Sequence, residues 1–123
     1  MKQVGMAMLV VLLSSWVWGG EKGKAPYVCT GIGESKDDPR LTSFPLKVVF
    51  ATNSGALYTD VNVRIEAEGG APVLETFCDG AWLLVQLPFA KYRITATDQR
   101  KTSRSCSVVV SGRQTTCTLK WPD

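Results

Sequence analysis

The segment from Cys78 to Ile94 constrains the fold more than any other part of the chain, because its turn residues and apolar runs alternate too quickly for anything but short strands. Asp79-Gly80 reads as the tight turn of a hairpin, a pair that reaches positive φ at little steric cost. Trp82 to Val85 is an apolar run, and Leu87-Pro88 breaks it, since proline cannot donate to a central ladder. Tyr92 and Ile94 then alternate with Lys91 and Arg93, the period of a half-buried strand.

The same texture continues through the body of the chain, and no stretch from Leu46 onward sustains a helical period of about 3.6 residues. Leu46 to Phe50 leads to the turn Asn53-Ser54-Gly55, and Val61, Val63, Ile65 and Ala67 share one face of the next strand. Glu68-Gly69-Gly70-Ala71-Pro72 turns the chain into Val73 to Phe77. Near the carboxyl end Cys106, Val108 and Val110 share a face, as do Cys117, Leu119 and Trp121. Ser35 to Ser43 is a charged loop with room for a helical turn. The expected architecture is all-β, an antiparallel sandwich of seven short strands. A closed barrel is the rival, and the Leu87-Pro88 break favours the sandwich, because a strand that bends or changes sheet needs such an interruption.

Met1-Lys2 followed by an apolar run from Val4 to Trp18 and an abrupt polar turn at Glu21 to Lys24 has the outline of a secretory signal peptide. The run is shorter than the roughly 20 apolar residues that span a bilayer, so a cleaved leader over residues 1–20 is expected, ending at Gly19 or Gly20. Residues 21–123 are then one exported domain, periplasmic or secreted and not membrane-spanning. Four cysteines, Cys29, Cys78, Cys106 and Cys117, are an even set in a small exported chain and read as two disulfides. If Ser111-Gly112 is a two-residue hairpin loop, Cys106 lies opposite Cys117, which leaves Cys29 for Cys78; a one-residue shift of the loop weakens that pairing.

Composition narrows the chemistry. The chain holds no histidine, which removes the commonest general base, the Ser-His and Cys-His nucleophile systems and most transition-metal sites. The cysteine spacings lack a Cys-x-x-Cys pair, and no run of alternating acidic residues suggests a calcium loop, so neither metal nor cofactor is expected. A carboxylate-only hydrolase would have to draw on Asp37, Asp38, Asp60, Glu66, Glu68, Glu75 or Asp79, each of which also reads as solvent-facing charge. The formal charge of +3 falls to +2 without Lys2, and its mixed distribution is not a nucleic-acid footprint.

The strings Val61-Asn62-Val63-Arg64-Ile65, Asp79-Gly80 with Trp82, and Leu87-Pro88-Phe89-Ala90-Lys91-Tyr92-Arg93-Ile94 together resemble the carboxypeptidase regulatory-like domain, a prealbumin-type (transthyretin-like) sandwich. Tyr27 to Glu34 and Leu119 to Pro122 are further similar to small exported proteobacterial proteins of that kind. Ala90 stands where the family pattern has glycine, which leaves the corner there without easy positive φ. The resemblance implies a fold and no catalytic residues. Related hydrolases of a purine breakdown product depend on histidines that this chain lacks.

The function that follows is a non-enzymatic exported module that binds a protein or glycan of the bacterial envelope. Gly31, Gly33, Glu34, Asp79, Gly80 and Trp82 are the candidate binding rim, joined through Cys29 and Cys78. Arg100, Lys101 and Arg104 form a candidate basic patch, which reads first as a solvated loop or an edge strand guarded by charge. A carbohydrate-binding module using Trp82 and Tyr58 is the alternative, and it needs exposed, coplanar rings.

Overall fold

The computed structural model describes residues 25–31 and 39–123, so the expected leader, Gly33 and Glu34 lie outside the described residues. Among the described residues there are eight strands: β1 (Tyr27–Thr30), β2 (Leu46–Thr52), β3 (Val61–Ala67), β4 (Pro72–Cys78), β5 (Trp82–Val85), β6 (Ala90–Thr97), β7 (Ser103–Val110) and β8 (Thr115–Trp121). A 3-10 turn, Pro39–Ser43, precedes β2. The strand beyond the expected seven is β1, whose four residues are too few to show a period.

The strands form two four-stranded sheets, ordered β1-β5-β2-β8 and β4-β3-β6-β7. All pairings are antiparallel except β2 with β8, which run parallel from Leu46↔Thr115 to Thr52↔Trp121 and depart from the all-antiparallel expectation. Val61, Val63 and Ile65 of β3 face Leu46, Val48 and Phe50 of β2 across a core that also takes Leu74, Leu83, Ile94 and Trp121. Alternation explains most of these, but Leu83, Leu84 and Val85 are all buried, so β5 is covered on both faces.

Two turns read as hairpins are instead links between the sheets. Asp79-Gly80 joins β4 of one sheet to β5 of the other, and Gly80 is not among the residues of positive φ. Its glycine is required by proximity: a Cβ there would stand 2.3 Å from the Thr30 carbonyl oxygen. Ser111-Gly112 likewise joins β7 to β8 across the sheets, and a Cβ at Gly112 would meet nothing within 4 Å. The expected Cys106–Cys117 pair forms, but as an inter-sheet bridge and not across a hairpin, because Cys106 pairs in register with Ile94 and Cys117 with Val48. By contrast the Gly69-Gly70 turn is a true hairpin between β3 and β4, with φ of 100° and 94°.

The Leu87-Pro88 break falls where the chain leaves β5 and enters β6 in the opposite sheet, as expected. Ala90 needs no positive φ, since the corner is held by the buried Tyr92, whose hydroxyl donates to the Pro88 carbonyl at 2.8 Å. A tyrosine bonding back to the backbone a few residues upstream is a recurrent device at sandwich corners.

Both long sides of the sandwich are closed. On one side β1 and β4 are joined by Cys29–Cys78, by the Thr76 hydroxyl donating to the Tyr27 hydroxyl at 2.8 Å, and by the Ala25 amide donating to the Val73 carbonyl at 3.0 Å. On the other, β7 and β8 are joined by Cys106–Cys117 and by Arg104 Nε donating to the Lys120 carbonyl at 2.9 Å. These contacts tie the two sheets together along both edges.

Candidate functional site

The described loops fall at two ends. The upper end collects Gly31, the 53–60 connection, Asp79-Gly80-Ala81, the Asp98–Thr102 loop and the carboxyl terminus, as the registers Thr30↔Trp82, Val61↔Cys78, Thr97↔Ser103 and Thr52↔Trp121 require. Gly31, Asp79, Gly80, Trp82 and Arg100-Lys101 from the sequence reading therefore meet at one end, although they come from separate parts of the chain.

The rim is packed closely. The Gly80 amide donates to Cys29 Sγ at 3.0 Å, and the Thr30 carbonyl lies against Gly80. Gly31 has φ of 93°, and a Cβ on it would stand 2.6 Å from Trp82 Cγ, so both conformation and space demand glycine there. Trp82 itself is half-buried, with Lys47 Nζ 3.5 Å from its ring centroid, a cation–π contact on one face. Asp79 is exposed at the turn.

The adjoining Asp98–Thr102 loop is built around a carboxylate that the sequence reading did not single out. Asp98 is 2% exposed. Its Oδ1 accepts the amides of Arg100 at 3.0 Å and Thr102 at 2.9 Å, while Oδ2 accepts the Tyr58 hydroxyl at 2.7 Å. The Tyr58 bond, followed by the two backbone donors and the Arg100 charge, holds this carboxyl below the usual range against the opposing effect of burial. The available signal was an aspartate placed just before a short polar turn between two strands, where its side chain can accept amides two and four residues on.

This network accounts for much of the basic patch. Arg100 Nη2 donates to the Tyr58 hydroxyl at 3.3 Å and its Nε lies 3.7 Å from Asp98 Oδ2, which raises the guanidinium pKa, first through the Tyr58 bond. Arg104 reaches across to β8. Lys101 occupies the loop tip at φ of 69° with its side chain exposed. Arg100 thus braces the loop, Arg104 ties β7 to β8, and Lys101 projects from the loop tip.

Tyr58 and Trp82 do not form an exposed aromatic platform. The Tyr58 ring stacks on the fully buried Trp121 at 5.0 Å between centroids, and Trp121 Nε1 donates to the Thr102 carbonyl at 3.0 Å. Of the carboxylates that a hydrolase would draw on, Glu66 and Glu75 are both taken up by Arg64 on the outward face of the second sheet and Asp60 adopts φ of 65° at the upper end, while Asp37 and Asp38 lie outside the described residues. Among the described residues no cluster of acidic or sulfur side chains has the arrangement of a metal site, and no helix is long and apolar enough to cross a membrane.

No family model matches the chain, and no curated protein or solved structure matches it.

Proposed function

We propose that this protein is an exported, non-enzymatic β-sandwich module, an accessory or binding protein of the bacterial envelope that engages a protein or glycan partner through its upper end. The observation that carries this reading is the convergence of Gly31, the Asp79–Trp82 link and the Asp98–Thr102 loop on one end, pinned by Cys29–Cys78 and the Asp98 network. A rigid scaffold that presents preorganised loops limits the ordering cost of binding. Two disulfides suit an oxidising compartment and support export behind the apolar amino-terminal run. Two packed sheets with a sheet change at Leu87-Pro88 support the carboxypeptidase regulatory-like reading of the fold. The carbohydrate reading through Trp82 and Tyr58 is less favoured, because both rings are half-buried and each already has one face covered, Tyr58 by Trp121 and Trp82 by Lys47.

Photo-crosslinking in the producing cell tests the proposal. A crosslinker replacing Asp79 or Lys101 is expected to yield a discrete adduct, and one replacing Thr116 or Thr118, exposed on the outward side of β8, is not. The reading is overturned by adducts that are equally strong from β8 or missing from both upper-end positions.

A further inference from the structure

The lower end of the sandwich is chemically unlike the upper. Phe89 follows the Leu87-Pro88 corner with 74% of its surface exposed, more than any other large apolar side chain among the described residues. It adjoins Ala90, whose ladder partner is Val110, and the neighbouring Val109 is itself 57% exposed, so two apolar side chains sit at one corner of the second sheet. Between the sheets at the same end, Pro26, Val73, Gln86, Leu87, Pro88 and Tyr92 help line a cavity of about 230 Å³. Lys91 is exposed on the adjoining strand and Arg113 in the loop after Val110; Arg93 is exposed too but donates up the strand to Ser105 at 3.3 Å, and it lies with Lys91 beside Glu66, which is held by Arg64, and Glu68.

We propose that this lower end seats the protein on an anionic lipid surface, with Phe89 entering the interface, Lys91 and Arg113 over the phosphates, and the cavity beside Leu87 open to an acyl chain. Stable association with a bilayer needs two signals, apolar insertion and basic attraction, and both are present at one corner. The apolar contribution comes from a projecting turn and not from a broad flat patch. That shape enters a lipid interface readily but buries little of the area a stable protein contact requires. The surface is separate from the upper-end loops, so either reading can fail without the other.

Co-sedimentation of the exported, purified protein with phosphatidylethanolamine vesicles, with and without phosphatidylglycerol, tests it. Phosphatidylglycerol is expected to promote binding that rising salt reverses, since exposed charges are screened. Phe89→Ser is expected to weaken binding about tenfold or more, the ratio that removing one inserted phenyl ring supports. Lys91→Glu with Arg113→Glu should abolish the lipid preference, while Phe77→Ser, an exposed phenylalanine on β4, should leave binding unchanged. Circular dichroism of each variant checks that it is folded, and a retained leader would affect all variants alike. Equal binding to both vesicle types, or Phe89→Ser binding as well as the unsubstituted protein, overturns the proposal.

Discussion

Tyr58 and Asp98, 40 residues apart in the chain, are joined by a 2.7 Å hydrogen bond from the phenol to a carboxylate that is almost wholly buried. The tyrosine ring lies flat on Trp121, so one residue links the loop carboxylate to the core. The upper-end loops are therefore fixed from beneath and not merely closed by their own turns.

Replacing Tyr58 with Phe is expected to lower the urea midpoint of unfolding at neutral pH, because Asp98 loses the strongest of the contacts that favour its charged form. The sign with pH follows from linkage. The folded-state pKa of Asp98 lies below its unfolded value, so the associated stability is complete above the unfolded pKa, near 4, and is lost as pH falls through the folded one. The difference between the native protein and Tyr58→Phe should therefore narrow as the pH is taken below about 4. Parallel urea titrations across that range check it, and a constant difference would contradict the role assigned to the bond.

The two disulfides should be unequal in worth. Cys29–Cys78 closes a loop with a sequence separation of 49, against 11 for Cys106–Cys117. A chain-entropy argument gives about 4 kcal/mol for the first and about 3 kcal/mol for the second. Paired Cys→Ser variants, unfolded in urea, are expected to rank in that order. Non-reducing peptide mapping should recover Cys29 with Cys78, and recovery of Cys29 with Cys106 would contradict the edge-stapling described above.

Gly80→Ala is expected to destabilise by about 1–3 kcal/mol, since the new methyl group would be driven onto the backbone of β1. Gly112→Ala should change stability by less than about 0.5 kcal/mol, as its site is open and its φ is not positive. The contrast separates a glycine required by proximity from one that merely occupies a turn. Thermal unfolding of both variants measures it.

Lys101→Gly should be neutral or stabilising, because a non-glycine residue in the left-handed region costs about 1 kcal/mol. Arg100→Ala, which removes a partner of both Asp98 and Tyr58, should destabilise. If the loop serves binding, Lys101→Gly is the variant that separates recognition from stability: crosslinking through Asp79 should weaken while the unfolding midpoint holds or rises.

Strand alternation in Val61 to Ile65, the turn at Gly69-Gly70, the sheet change at Leu87-Pro88 and the even set of cysteines are all legible in the sequence, because each depends on residues near one another in the chain. The pairing of Cys106 with Cys117 was anticipated through a hairpin that does not form. Asp79-Gly80 and Ser111-Gly112 carry residues suited equally to a hairpin and to a link between sheets, so local turn chemistry could not distinguish the two. That choice was made by the tertiary structure, where burying the apolar faces of β5 and β8 beside β2 outweighs pairing each with its neighbour in sequence. Asp98 was hidden for the same reason: its partner Tyr58 is a long-range neighbour, and only packing against Trp121 brings the phenol within reach of the carboxylate.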